Sequence, residues 1–157
     1  MLPPTSHRVT DRTAADINLR NREDTRQRVE RIAREGHPAI DRRLRALDQE
    51  WDVERTLEAN ASTLALTGSV LALTVDRRFA LVPLVVGGFL LQHALQGWCP
   101  PLPVIRRMGV RTTGEIDEER MALKALRGDF REASGSTVKE AVTDAVVAAR
   151  SDRAVTA

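Results

Sequence analysis

Only three charged side chains lie between Glu58 and Arg106, and they are adjacent: Asp76, Arg77 and Arg78. A charge-free run of 17 residues, Ala59 to Val75, precedes them, and a second of 27 residues, Phe79 to Ile105, follows. The hydrocarbon core of a bilayer is about 30 Å thick, and roughly 20 apolar residues cross it as a helix. Two apolar runs joined by a charged turn predict an all-α fold built on a transmembrane helical hairpin, with spans at about 57–75 and 79–98. The first run is short and reaches span length only if Thr56 and Leu57 extend it. The alternative is a soluble hairpin buried in a core. The flanks, however, are too polar to cover two helices that are apolar nearly all round.

Averaged over the chain, this segregation disappears: 29% of residues are charged and the formal net charge is only +2. No basic field covers the whole chain. The Arg-rich stretch from Arg20 to Arg34 is interleaved with Glu23, Asp24 and Glu30, which predicts a solvated helix and no nucleic-acid partner. The first 30 residues hold no apolar stretch of signal-peptide length, so a cleaved secretory signal is not expected. Arg42, Arg43, Arg45 and Arg55 precede the first apolar run, and Arg106, Arg107 and Arg111 follow the second. The turn holds only Arg77 and Arg78, so the positive-inside rule places both termini in the cytoplasm. Trp51, Arg55, Trp98, Arg106 and Arg107 are then expected at the cytoplasmic membrane interface, with Arg77 and Arg78 at the opposite one.

Within the runs, Gly68 and Ala72 lie four apart, and Gly87 and Gly88 fall midway along the second. Small residues let membrane helices approach closely, so these four are the expected packing positions, within the hairpin or in a homo-oligomer. Asp76 is a natural N-cap for the second helix.

The flanks divide as follows. Residues 1–21 lack periodicity and are expected to be disordered. Residues 22–58 read as charged and amphipathic helices, broken by Gly36 and Pro38. Ile40, Leu44, Leu47 and Trp51 share one helical face opposite Arg42, Arg43 and Arg45. That pattern suits a helix lying on an anionic membrane surface or a short coiled coil between protomers. After the hairpin at 59–98, residues 99–130 comprise an exit and a helix. Pro100, Pro101 and Pro103 predict a stiff, extended exit. Thr112 and Glu115 form a capping-box pattern opening a helix from about Gly114 to Arg127, with Gly128 as its C-terminal stop. Residues 131–157 read as a linker and a short Ala/Val-faced helix.

Cys99 is the single cysteine, so no internal disulfide and no four-cysteine zinc site can form. It is the one candidate for covalent chemistry. Arg106 and Arg107 lie close in sequence and would lower its pKa if they faced it. The competing reading is a small apolar residue packing at a helix end. His93, near the membrane exit, reads as an interfacial imidazole bonded to a neighbour. The acidic residues Glu115, Asp117, Glu118 and Glu119 sit in a first helical turn, where capping and the helix dipole explain them. No phosphate-cradling glycine loop, catalytic triad or metal-ligand spacing is present. Neither an enzyme nor a cofactor is expected.

The stretch from Trp51 to Phe130 resembles the YgaP-like transmembrane family of small bacterial inner-membrane proteins. The carrying residues are WDVERTLEANAS before the hairpin and GWCPPLPVIRRMGVRTTGEIDEERMALKALRGDF after it, with the Gly-Trp-Cys-Pro step at Gly97 to Pro100 the most specific part. The resemblance implies a two-helix module of the inner membrane, in some members fused to a rhodanese domain. No rhodanese domain is expected in this chain, which departs from the family in carrying charged helical extensions on both sides of the resemblance. The implied function is a membrane anchor or interaction module with an unidentified cytoplasmic or membrane protein partner. The alternative is a sulfur- or redox-handling accessory protein using Cys99 as a thiol relay, with a rhodanese-type partner.

Overall fold

The computed structural model describes residues 7–130 together with 142, 146 and 147, and every element among the described residues is helical. In chain order they are a 3-10 turn Thr10–Arg12, α1 (Ala15–Glu35), α2 (His37–Gln49), α3 (Val53–Thr74), a 3-10 turn Arg77–Ala80, α4 (Leu81–Gln96), α5 (Leu102–Arg107) and α6 (Thr113–Arg127). The expected C-terminal helix lies outside the described residues, apart from Val142, Val146 and Val147.

The chain forms two compact units, one of Met1–Arg22 with Trp51–Gly114 and one of Glu23–Glu50 with Glu115–Ala157. This division replaces the linear segments expected from sequence, because each unit gathers residues from both sides of the apolar block.

The second unit holds most of α1, all of α2 and most of α6. Gly36, at φ 86°, takes a left-handed conformation that ends α1, and Pro38 sits in the first turn of α2, where its missing N–H is harmless. Ile40, Leu44 and Leu47 are fully buried against Ile32 of α1 and Ile116 and Leu123 of α6. The α2 stripe is therefore covered by the chain itself. The expectation that it lies on a membrane or in a coiled coil is corrected, because its apolar side chains have no surface left to offer. Trp51, expected on the same stripe, falls beyond the end of α2.

The first unit is a helical hairpin on a small base. α3 starts at Asp52, whose side chain accepts a hydrogen bond from the Arg55 N–H at 2.8 Å. The chain turns at Asp76, which accepts from the Arg78 N–H at 2.8 Å, as its N-cap position predicts. α4 returns along α3. Gly68 permits the contact: a Cβ there would come within 2.7 Å of Val82 Cβ and 2.9 Å of Pro83 Cδ. Beneath the hairpin, Val9, Val53, Leu57, Cys99, Leu102 and Ile105 form one apolar cluster.

Three expectations change here. The N-terminal stretch is not structureless through residue 21: Val9 and Ile17 are buried, and α1 begins at Ala15. The proline exit is not extended, because Pro101 and Pro103 occupy the start of α5, where proline's fixed φ suits a helix. Finally, the segment Arg77–Gln96, with mean hydropathy 1.6, is the one helical stretch among the described residues that is long and apolar enough to cross a membrane. α3 does not qualify, because Glu54, Arg55, Glu58 and Asn60 enter its first turns and Ser and Thr recur above them.

Candidate functional site

The base of the hairpin is where chemistry-bearing side chains converge. Glu54 of α3 binds two basic side chains from different elements: Arg8 Nη2 lies 2.8 Å from its Oε1, and His93 Nε2 of α4 lies 2.9 Å from its Oε2. His93 is buried, as an imidazole bonded to a neighbour should be when it enters an apolar layer. Its partner Glu54 was not legible at a sequence separation of 39.

Arg106 anchors the same base from below. Although expected at the membrane interface, it has 0% relative exposure. Its guanidinium donates to the Val110 carbonyl at 2.9 Å, Asn18 Oδ1 at 3.0 Å and Thr13 Oγ1 at 3.3 Å. The interfacial reading of Arg106 is corrected. A single step along α5 separates the inward Arg106 from the outward Arg107, because neighbouring residues on a helix point about 100° apart. The other interfacial candidates fit exposed or boundary positions. Arg55 stacks over Trp51 at 4.6 Å from the ring centroid, Arg77, Arg78 and Arg107 are exposed, and Trp98 packs half-buried on the base cluster.

Gly97 explains the Gly-Trp-Cys-Pro step physically. It ends α4 at φ 72°, and a Cβ there would overlap the Arg8 carbonyl. Only glycine allows both the left-handed conformation and the close approach. The turn drives Cys99 into the base, where it is 4% exposed. Burial pushes its thiol pKa up, an effect only partly opposed by the Leu102 N–H and reinforced by the charge of Glu54. The expectation that nearby arginines would lower it is therefore overturned. Arg106 is committed to Asn18, Thr13 and Val110, and low dielectric disfavours the thiolate.

The packing candidates separate into two groups. Gly68 is buried at the α3–α4 contact and Ala72 is half-buried one turn on. Gly87 and Gly88 are exposed, and a Cβ at either meets nothing within 4 Å, so the reading of them as packing positions within the hairpin is corrected. They lie on the outer face of α4.

An open apolar groove of about 520 Å³ runs along the hairpin's lower half. Ala61 and Leu64 of α3, Val86 and Phe89 of α4, and Val104 and Met108 form its walls, with Cys99 lining it as well. Two polar groups of the α3 wall bond within their own helix: Thr56 Oγ1 donates to the Asp52 carbonyl and Asn60 Nδ2 to the Thr56 carbonyl, each at 2.8 Å.

In the second unit, Glu119 is 1% exposed and accepts from Arg43 at 2.6 and 3.0 Å and from Arg28 at 3.0 Å. Capping does not account for it, which corrects the first-turn reading. The signal was present in the sequence: Glu119 falls three residues after Ile116 and four before Leu123, on the buried stripe. Among the described residues no cluster of three or more His, Cys, Asp or Glu side chains could hold a metal ion.

No known protein family, curated protein or solved structure matches this chain.

Proposed function

We propose that this chain is a small integral membrane protein of the YgaP-like type. Its α3–α4 hairpin crosses the bacterial inner membrane twice, and both termini stay in the cytoplasm. The observation that carries the reading is the bareness of the hairpin. Leu66, Leu73 and Leu84 are 68%, 88% and 70% exposed, and only 6% of the apolar window in Arg77–Gln96 is buried. A soluble core helix hides such side chains, whereas a bilayer solvates them.

The polarity of α3 is compatible with this reading. Thr63, Thr67, Ser69 and Thr74 each donate to the carbonyl four residues back, at 2.7–2.8 Å. A hydroxyl bonded within its own helix presents little unsatisfied polarity to lipid. The 22 residues of α3 extend about 33 Å at 1.5 Å per residue, enough to carry Glu54 and Asp76 to opposite interfaces.

The protein serves as a non-enzymatic anchor or interaction module. Its second unit, with α2 and α6 packed by their own apolar faces, presents a charged surface to a protein partner. The thiol-relay alternative draws no favourable observation from a buried cysteine with a raised pKa.

Alkaline carbonate extraction tests insertion, since release into the supernatant would refute it. Topology is read in a Cys99→Ala background carrying Arg78→Cys. Labelling from the periplasmic side by an impermeant maleimide is the expected result, and labelling only after permeabilisation would refute the two-span orientation.

A further inference from the structure

We propose that the groove beside Cys99 holds one acyl chain of an anionic membrane phospholipid, with the headgroup phosphate at Arg107. The inference rests on the hairpin reading and adds a specific ligand to it. The walls from α3 and α4 belong to the same helices that carry the exposed apolar band, so whatever solvates that band has access to the open groove. Apart from Thr56 and Asn60, each bonded once within its own helix, the walls are apolar side chains that offer a polar ligand little. A hydrocarbon chain needs no polar partner.

An exposed charge follows the α5 wall in sequence. Arg107 precedes the groove residue Met108, is exposed, and has no ion-pair partner among the described residues. By the orientation above, α5 lies on the cytoplasmic side, where anionic headgroups attract basic residues. The floor is preformed, because Leu57 and Ile105 are fixed in the base cluster and do not have to rearrange to admit the chain.

The test uses the full chain solubilised in detergent, incubated with dioleoyl phosphatidylglycerol or dioleoyl phosphatidylcholine, and followed by native mass spectrometry. One phosphatidylglycerol is expected to be retained per protomer. Ala61→Trp fills the groove from α3 and Val104→Trp from α5, and each is expected to abolish retention. Either variant suffices if the other fails to insert. Arg107→Gln is expected to lower the preference for phosphatidylglycerol over phosphatidylcholine about fivefold, equivalent to the ~1 kcal/mol that one basic residue contributes at an anionic surface. The proposal is overturned if the wild-type chain retains no lipid, or if both tryptophan variants insert and retain it unchanged. Capture of a protein helix in the groove by photocrosslinking from position 64, excluding lipid, also overturns it. Carbonate extraction of the same preparations separates the two levels: pelleted protein without bound lipid sinks the lipid site alone, and released protein sinks the hairpin.

Discussion

Replacing Gly97 with alanine tests the idea that the N-terminal segment is clamped onto the hairpin base. Two effects add. A left-handed alanine costs about 1–2 kcal/mol. The new Cβ would also overlap the Arg8 carbonyl, so residues 7–9 must lift. Lifting exposes Val9, worth about 1.5 kcal/mol at the low end for an aliphatic side chain. It also breaks the partly exposed Arg8–Glu54 pair, worth no more than about 1 kcal/mol. The total is about 3–4 kcal/mol. Gly109 provides the control, being left-handed at φ 85° with nothing within 4 Å of the Cβ that alanine would add, so Gly109→Ala carries the conformational cost alone. The readout is the alkylation rate of Cys99 under native conditions, since Val9 and Cys99 share one cluster and the 4%-exposed thiol reacts chiefly when that cluster opens. A difference of about 2 kcal/mol between the variants makes Gly97→Ala react roughly 30-fold faster than Gly109→Ala at the same pH. Rates within about threefold of each other would refute the clamp.

Four further outcomes follow from individual side chains. Removing Arg106 as Arg106→Met takes the buried donor from three half-buried acceptors, and unit 1 should lose about 1–3 kcal/mol, read as greater proteolysis near Thr13; unchanged protection would contradict the anchoring role. Glu119→Gln removes the charge and one of the two acceptor oxygens shared by Arg28 and Arg43, and thermal melts followed by circular dichroism should show a loss of about 3 kcal/mol, whereas exposed Glu118→Gln should change little. Because burial raises the Cys99 pKa, its contribution to stability is complete below the ordinary thiol range and is lost as pH rises through the raised value. Denaturation midpoints of wild type and Cys99→Ala should therefore converge at alkaline pH, and parallel pH profiles would contradict this. Asp129 behaves oppositely: the Arg127 guanidinium holds its pKa below the ordinary value, so its contribution is present above that value and fades on acidification. Amide protection factors in the last turn of α6, taken relative to the intrinsic exchange rate at each pH, should fall in acid for wild type but not for Asp129→Asn.

The elements were largely legible because they depend on local signals. The charge-free runs, Asp76 as cap, the break at Gly36 and Pro38, and the helix ending at Arg127 before a left-handed Gly128 all follow from residues within a turn or two of one another. Periodicity also marked Ile40, Leu44 and Leu47 as one apolar stripe. It was silent on what would cover that stripe, and the cover proved to be α1 and α6 rather than lipid or a second protomer.

The base of the hairpin and the ion pairs of the second unit were decided elsewhere. Arg8 meets Glu54 across 46 positions, Arg106 meets Asn18 across 88, and Arg43 meets Glu119 across 76. Local sequence gives a charged side chain no address, since the same arginine is equally well satisfied by water, a headgroup or a distant carboxylate. Only the closed fold makes the choice, by removing water from Arg106 and Glu119 and leaving specific partners in reach. Cys99 follows the same rule. Its place just after Gly97 is a matter of sequence, but its chemistry was set by the cluster that closed over it, which turned a cysteine near two arginines into a buried, protonated thiol.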